Sequence, residues 1–164
     1  MVVQPRDVQP NEDIKLKDLV RVKVDALKDE QRIMRGDVLL TNRGKFESAV
    51  FWSNTAEAVI NSHSVLSLRV NLGEIIPDYL ALYLNSKAGQ VALNRIGQTS
   101  TVPFIGRANL EELIIPVPSM ERQRALIELG KTKWKFDQLS RRKVELLDKI
   151  LRHEFTGAPA QEEQ

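Results

Sequence analysis

The chain has 164 residues, 42% of them hydrophobic, 28% charged and 5% aromatic, with no cysteine and a formal net charge of +2. That length suits one domain, or one domain with an appendage, and a chain of this size buries about 70% of its unfolded surface. The composition excludes disorder over most of the chain. The lack of Cys excludes a disulfide scaffold, a Cys-ligated zinc and a thiol nucleophile, and the few aromatics argue against a base-stacking single-strand surface.

Residues 1–13 are polar with two prolines and predict a loose lead-in. They lack the basic-then-apolar layout of a signal peptide, and no apolar run in the chain approaches membrane-spanning length, so a cytoplasmic protein without membrane contact is expected. "IKLKDLVRVKV" places Ile14, Leu16, Val20, Val22 and Val24 on one face with Lys and Arg between, a period-2 strand signature interrupted at Lys17-Asp18. In "RGDVLLTNRGK", Gly36-Asp37 predicts a turn, Val38-Leu39-Leu40 a buried strand, and Asn42-Arg43-Gly44-Lys45 a basic turn. "SAVFW", "AVIN" and "SVLSLRV" predict three more short strands.

Helical patterning then takes over. "PDYLALYLNS" predicts a short helix with Asp78 as its cap, and "SKAGQVALNRI" a second one ending near Gly97. "LEELIIPVP" predicts a last strand closed by Pro116 and Pro118. Ser119 can cap a long helix running to about Phe155, with Glu121 near its positive end. Leu129, Phe136, Leu139, Leu146 and Ile150 form an imperfect heptad seam along it, flanked by Leu147 and Leu151. Such a helix is roughly 50 Å long, too long to bury its seam against so small a globule, so a second copy of the same helix is the simplest partner. The fold expected is mixed α/β: a globular domain over residues 14–118, a coiled-coil-forming helix over residues 119–156, and a disordered tail over residues 157–164.

No GxSxG, GxxxxGK[ST] or HExxH pattern occurs, and His63 and His153 lie far apart in sequence. Asp13-Ile14-Lys15 is too short a fragment of nuclease patterning to stand alone. No catalytic residue, metal ligand or cofactor site is expected. Binding chemistry is better represented. No Asp or Glu occurs between Gly89 and Leu110, a stretch that holds Arg95, Gln98, Thr99, Ser100 and Arg107. The turn adds Asn42, Arg43 and Lys45. Arg and Lys neutralise phosphates, and Arg, Asn and Gln read base edges, whereas an acid would repel a DNA backbone. Arg43, Gln98 and Arg107 are the candidates for base or groove contacts, Lys45 and Arg95 for phosphates. The same residue types also suit two solvated loops that lack acid by chance. The long helix carries ten basic and six acidic residues over positions 119–155, a net of +4, which suits the solvated face of a coiled coil.

"RGDVLLTNRGK", "PDYLALYLNS" and "GQTSTVPFIGRANLEELIIPVPSMERQRALIE", in that order, resemble the DNA specificity subunit of type I restriction-modification systems. The likeness covers residues 14–157 and looks like one target-recognition domain followed by one spacer helix. Where the family usually has a Glu-Gln pair at the helix start, this chain has Arg122-Gln123. Family members usually carry two recognition domains and two helices, so this chain looks like a half-subunit. The resemblance implies a non-enzymatic protein that binds double-stranded DNA and delivers a modification methyltransferase acting on adenine, and often a restriction nuclease subunit, to a split site. Antiparallel pairing of two copies through the helix would make that site a split palindrome. A stand-alone dimeric DNA-binding regulator and a coiled-coil protein-interaction module are the alternatives.

Overall fold

The computed structural model describes residues 1–23, 31–97 and 101–156. It is a mixed α/β fold with small sheets and a long C-terminal helix. Two compact units divide it, one spanning Met1–Ile127 and the other running from Glu128 onward.

The first unit is organised around one strand. β1 (Val2–Val3), β2 (Val38–Thr41), β3 (Ser48–Val50), β4 (Ile60–Asn61) and β5 (Val65–Leu68) form two sheets, a parallel pair β1-β4 and an antiparallel sheet in the order β3-β2-β5. β2 is buried on both faces. Val38 and Leu40 enter a core built with helices α1 (Pro77–Asn85) and α2 (Lys87–Ile96), while Leu39 enters a second core with Val3, Val8, Ile14, Leu19 and Phe51. That double burial is why "VLL" reads as an unbroken apolar run, since successive side chains of a strand point to opposite faces and both faces are dry.

The second core overturns the reading of residues 1–13 as a loose lead-in. Val3 and Val8 are fully buried, β1 pairs with β4, and Pro5–Asp7 forms a 3-10 turn whose Asp7 carboxylate accepts the Gln4 N–H at 2.8 Å. The segment covers the open face of the β3-β2-β5 sheet, so its few apolar residues outweigh its polar average. The strand expected from Ile14 onward is also corrected. Leu16–Asp18 is a 3-10 turn at the Lys-Asp interruption, Ile14 and Leu19 are buried, and Val20 makes a single bridge to Val2. Val24 lies outside the described residues.

The helices follow the sequence closely. α1 begins with Pro77 at its first position, where no backbone N–H is needed. Its N-cap is Ile76, not Asp78, which instead accepts the Trp52 indole N–H at 3.3 Å. Ser86 ends α1 and caps α2, accepting the Gly89 N–H at 3.1 Å. The join is tight: a Cβ on Gly89 would lie 2.0 Å from the Tyr83 carbonyl oxygen, so only glycine fits there. Asn85 closes the free edge of β3 by accepting the Ser48 N–H at 2.9 Å and donating to the Ser48 carbonyl at 2.8 Å.

The strand expected over "LEELIIPVP" is not present. α3 (Arg107–Glu111) leads into residues 112–118, which pair with no strand among the described residues. Pro116 and Pro118 bring no ladder donors, and Ile114 is 87% exposed. The segment is pinned by side chains instead, with Tyr79 Oη donating to the Pro116 carbonyl at 2.6 Å.

α4 (Met120–Thr156) starts under a Ser119 cap, whose hydroxyl accepts the Arg122 N–H at 3.3 Å. Its first two turns belong to the first unit. Ile127 is buried in the α1-α2 core, and the fully buried Gln123 accepts the Ile76 N–H at 2.8 Å and donates to the Glu74 and Pro118 carbonyls at 2.8 and 2.9 Å. The globular unit therefore ends at residue 127, not at 118 as the helix signature suggests. In the second unit, α4 is lined by short-range ion pairs such as Lys131 with Glu128 and Arg142 with Glu145.

Candidate nucleic-acid interface

The two acid-free segments meet in space. The turn after β2 and the strip before α3 are tied by backbone bonds: the Gly44 N–H donates to the Pro103 carbonyl and the Ile105 N–H to the Asn42 carbonyl, both at 2.9 Å. Gly44 has φ +77°, the left-handed conformation this turn requires. Thr41 locks the turn from within, its hydroxyl donating to the Lys45 carbonyl at 2.6 Å and accepting the Glu47 N–H at 2.8 Å. The end of α2 joins the same cluster, because Gly97 lies against the buried Ile105.

Among the candidate residues, Arg43, Lys45, Arg95 and Arg107 are all exposed. Arg43 lays its guanidinium over the Phe104 ring, 5.4 Å from its centre, and the same two residues form a backbone bridge. The stack fixes the plane of the guanidinium while leaving its N–H edges available. Among the described residues no carboxylate lies within ion-pair distance of Arg43, Lys45 or Arg95. Arg107 pairs with Glu111 at 3.4 Å, but both side chains are largely exposed, and such a pair contributes little and yields readily to a stronger anion.

Asn42 is a correction. It is 4% exposed, with its amide N–H reaching the His63 carbonyl at 3.5 Å, so it is a joint between loops and its side chain does not face solvent. Its backbone carbonyl accepts the Ile105 N–H. Gln98, Thr99 and Ser100 lie outside the described residues.

Sequence reasoning missed three participants. Phe104 was legible only as an apolar residue in a polar strip. Gln123 looked like a helix-start residue and proves to be a buried anchor. Arg69, the residue after β5, grips the buried Asp37 with Nε and Nη2, each at 2.8 Å. The hydrogen bonds to Asp37 hold the Arg69 guanidinium above its ordinary value, with burial opposing and the carboxylate charge assisting.

The seam residues of α4 are exposed: Leu129 at 65%, Phe136 at 69%, Leu139 at 71%, Leu146 at 45% and Ile150 at 57%. Among the described residues, no group of three or more His, Cys, Asp or Glu side chains could hold a metal ion, and no helix is long and apolar enough to cross a membrane. No protein-family model matches the chain, and no curated protein matches it.

Proposed function

We propose that the chain is a sequence-specific double-stranded DNA recognition subunit that works as a pair. The observation that carries this reading is the junction of two acid-free segments, some sixty residues apart, into one cationic surface in which Arg43, Lys45 and Arg95 have no carboxylate partner among the described residues. Arg43, held in plane by Phe104, reads a base edge in the major groove. Lys45 and Arg95 bind phosphates, and Arg107 serves the groove at the edge of the surface. The apolar seam of α4 supports the second half of the reading: two copies pair lengthwise through it and present two recognition surfaces to a split, palindromic site. The resemblance to restriction-modification specificity subunits assigns the enzymatic partner, an adenine methyltransferase, and with it a cytoplasmic location and no catalysis by this chain.

Selection of bound duplexes from a random pool tests the proposal directly. Enrichment of two short inverted half-sites with an unread gap is the expected result. Enrichment of one continuous site, or of none, overturns it. Isolation of the tagged chain from its native cells then separates the specificity subunit from a stand-alone regulator: the first comes with a near-stoichiometric methyltransferase, the second comes alone.

A further inference from the structure

We propose that the same chain carries a second DNA contact, an arginine-walled trough that grips the phosphate backbone outside the acid-free surface. The inference rests on the duplex-DNA reading above. Two hollows of about 770 and 720 Å³ share Arg32 and Arg69 in their walls and so adjoin, over the approach to β2 and along β5. Arg107 lines the first hollow and Arg35 the second. Arg107 also links the trough to the candidate interface, three residues beyond Phe104. The other three arginines lie outside both acid-free segments.

These guanidiniums are oriented by the fold. Arg69 is forked onto Asp37, with Nη2 also donating to the Arg32 carbonyl at 3.3 Å, and among the described residues nothing binds its Nη1. Arg35 lies 4.9 Å over the Trp52 ring and donates through Nε to the Trp52 carbonyl at 3.2 Å. A guanidinium already held in one plane loses less freedom on binding than a free side chain. Among the described residues the walls carry two exposed carboxylates against four arginines. Asp37 is buried behind Arg69, and the two exposed carboxylates of the walls, Glu57 and Glu111, are each engaged with an arginine, Arg21 at 3.1 Å and Arg107 at 3.4 Å. Four guanidiniums spread over two adjoining hollows fit an extended polyanion rather than one compact anion. Asn54 and Thr55 in the walls add neutral hydrogen-bonding groups of the kind that contact phosphate oxygens.

The test compares the full chain with an Arg32→Ala/Arg35→Ala variant, titrating a mixed-sequence duplex by fluorescence anisotropy over a salt series. Loss of two phosphate contacts shallows the slope of log affinity against log salt by about 1.8, alike for specific and random duplexes. A Lys15→Ala/Lys17→Ala variant, with the same change in charge elsewhere, keeps the wild-type slope, and Arg32→Lys/Arg35→Lys restores it. Footprinting the unmodified chain with an arginine-specific reagent needs no variant: bound duplex protects Arg32 and Arg35. A wild-type slope in the double alanine variant, a change equal to that of the lysine control, or equal labelling with and without DNA overturns the trough while leaving the interface reading intact. Failure of the wild-type chain to bind any duplex overturns both. Binding of polyglutamate through Arg32 and Arg35 that duplex cannot displace assigns the trough to an acidic protein and also overturns the proposal.

Discussion

Arg43 and Phe104 are joined twice, by a backbone bridge and by a guanidinium stacked 5.4 Å from the ring centre. The bridge sets the distance and the stack sets the plane, so neither residue alone defines where the N–H edges point. Arg43→Ala is expected to cost about 1–3 kcal/mol in binding to the selected site and to relax one position of it. Phe104→Leu, which keeps apolar bulk but removes the ring face, is expected to cost about 0.5–1 kcal/mol. The two effects should couple in a double-mutant cycle read by anisotropy, with the pair costing less than the sum. Strict additivity would mean that the stack has no part in recognition.

Gln123 is the weld between α4 and the globular unit. Its replacement by Ala strands the Ile76 N–H and the Glu74 and Pro118 carbonyls around a side chain that is itself fully buried. At about 1–3 kcal/mol for a buried group left unpaired, a loss of about 3–5 kcal/mol is expected, measured by denaturant titration. Gln123→Glu should be no better, because it sets a carboxylate against two carbonyl oxygens. A loss under about 1 kcal/mol for either variant would show that the site opens to solvent.

The seam of α4 makes a separable prediction. Phe136→Glu/Leu146→Glu puts two charges into the stripe, both at positions exposed in the single chain. Light scattering should report a monomer for this variant and a dimer for the wild type. The unfolding transition of the globular unit should not move, since both residues lie beyond Ile127. DNA affinity for a two-half-site duplex should fall to that of a single half-site.

Alkaline pH probes Tyr79. Burial raises its phenol above the ordinary value, with the charge of Tyr83 adding to the effect, and its O–H donates to the Pro116 carbonyl. The folded chain holds the proton more tightly than the unfolded chain. The stability from this residue is therefore fully present below the ordinary tyrosine value of about 10 and is lost as pH rises through the raised value. Phenolate absorbance, compared between the wild type and Tyr79→Phe, should show Tyr79 titrating above the ordinary tyrosine value. Tyr79→Phe should flatten the alkaline part of the stability curve while lowering stability near neutrality by about 1 kcal/mol.

What could be read in the sequence was what is local. β2 announced itself because both faces are dry, and α1, α2 and α4 because apolar period, Pro77, Ser86, Gly97 and Ser119 agree on where each begins or ends. The covering segment was missed because Val3, Val8, Ile14 and Leu19 are spaced with no period, and each is buried by residues distant in sequence. "LIIPVP" has strand composition but no neighbour to pair with. Within the site, Arg43, Lys45, Arg95 and Arg107 were legible as residue types in acid-free company. Asn42 was misplaced because it is bonded to His63 and Ile105, residues distant in sequence, and the hollows that share Arg32 and Arg69 exist only once β5 lies beside β2.

The place where the globular unit ends has a consequence for grafting. A recognition body moved onto another helix by a junction at Pro118 would leave behind Gln123 and Ile127, and with them a hydrogen-bonding anchor and a core side chain. A junction placed after Ile127 carries the first two turns of α4 along as part of the cargo. Hybrids made the second way should fold and keep their donor's DNA preference, and hybrids made the first way should express as unfolded chains. The compact unit to move is thus the globule with its own stub of helix.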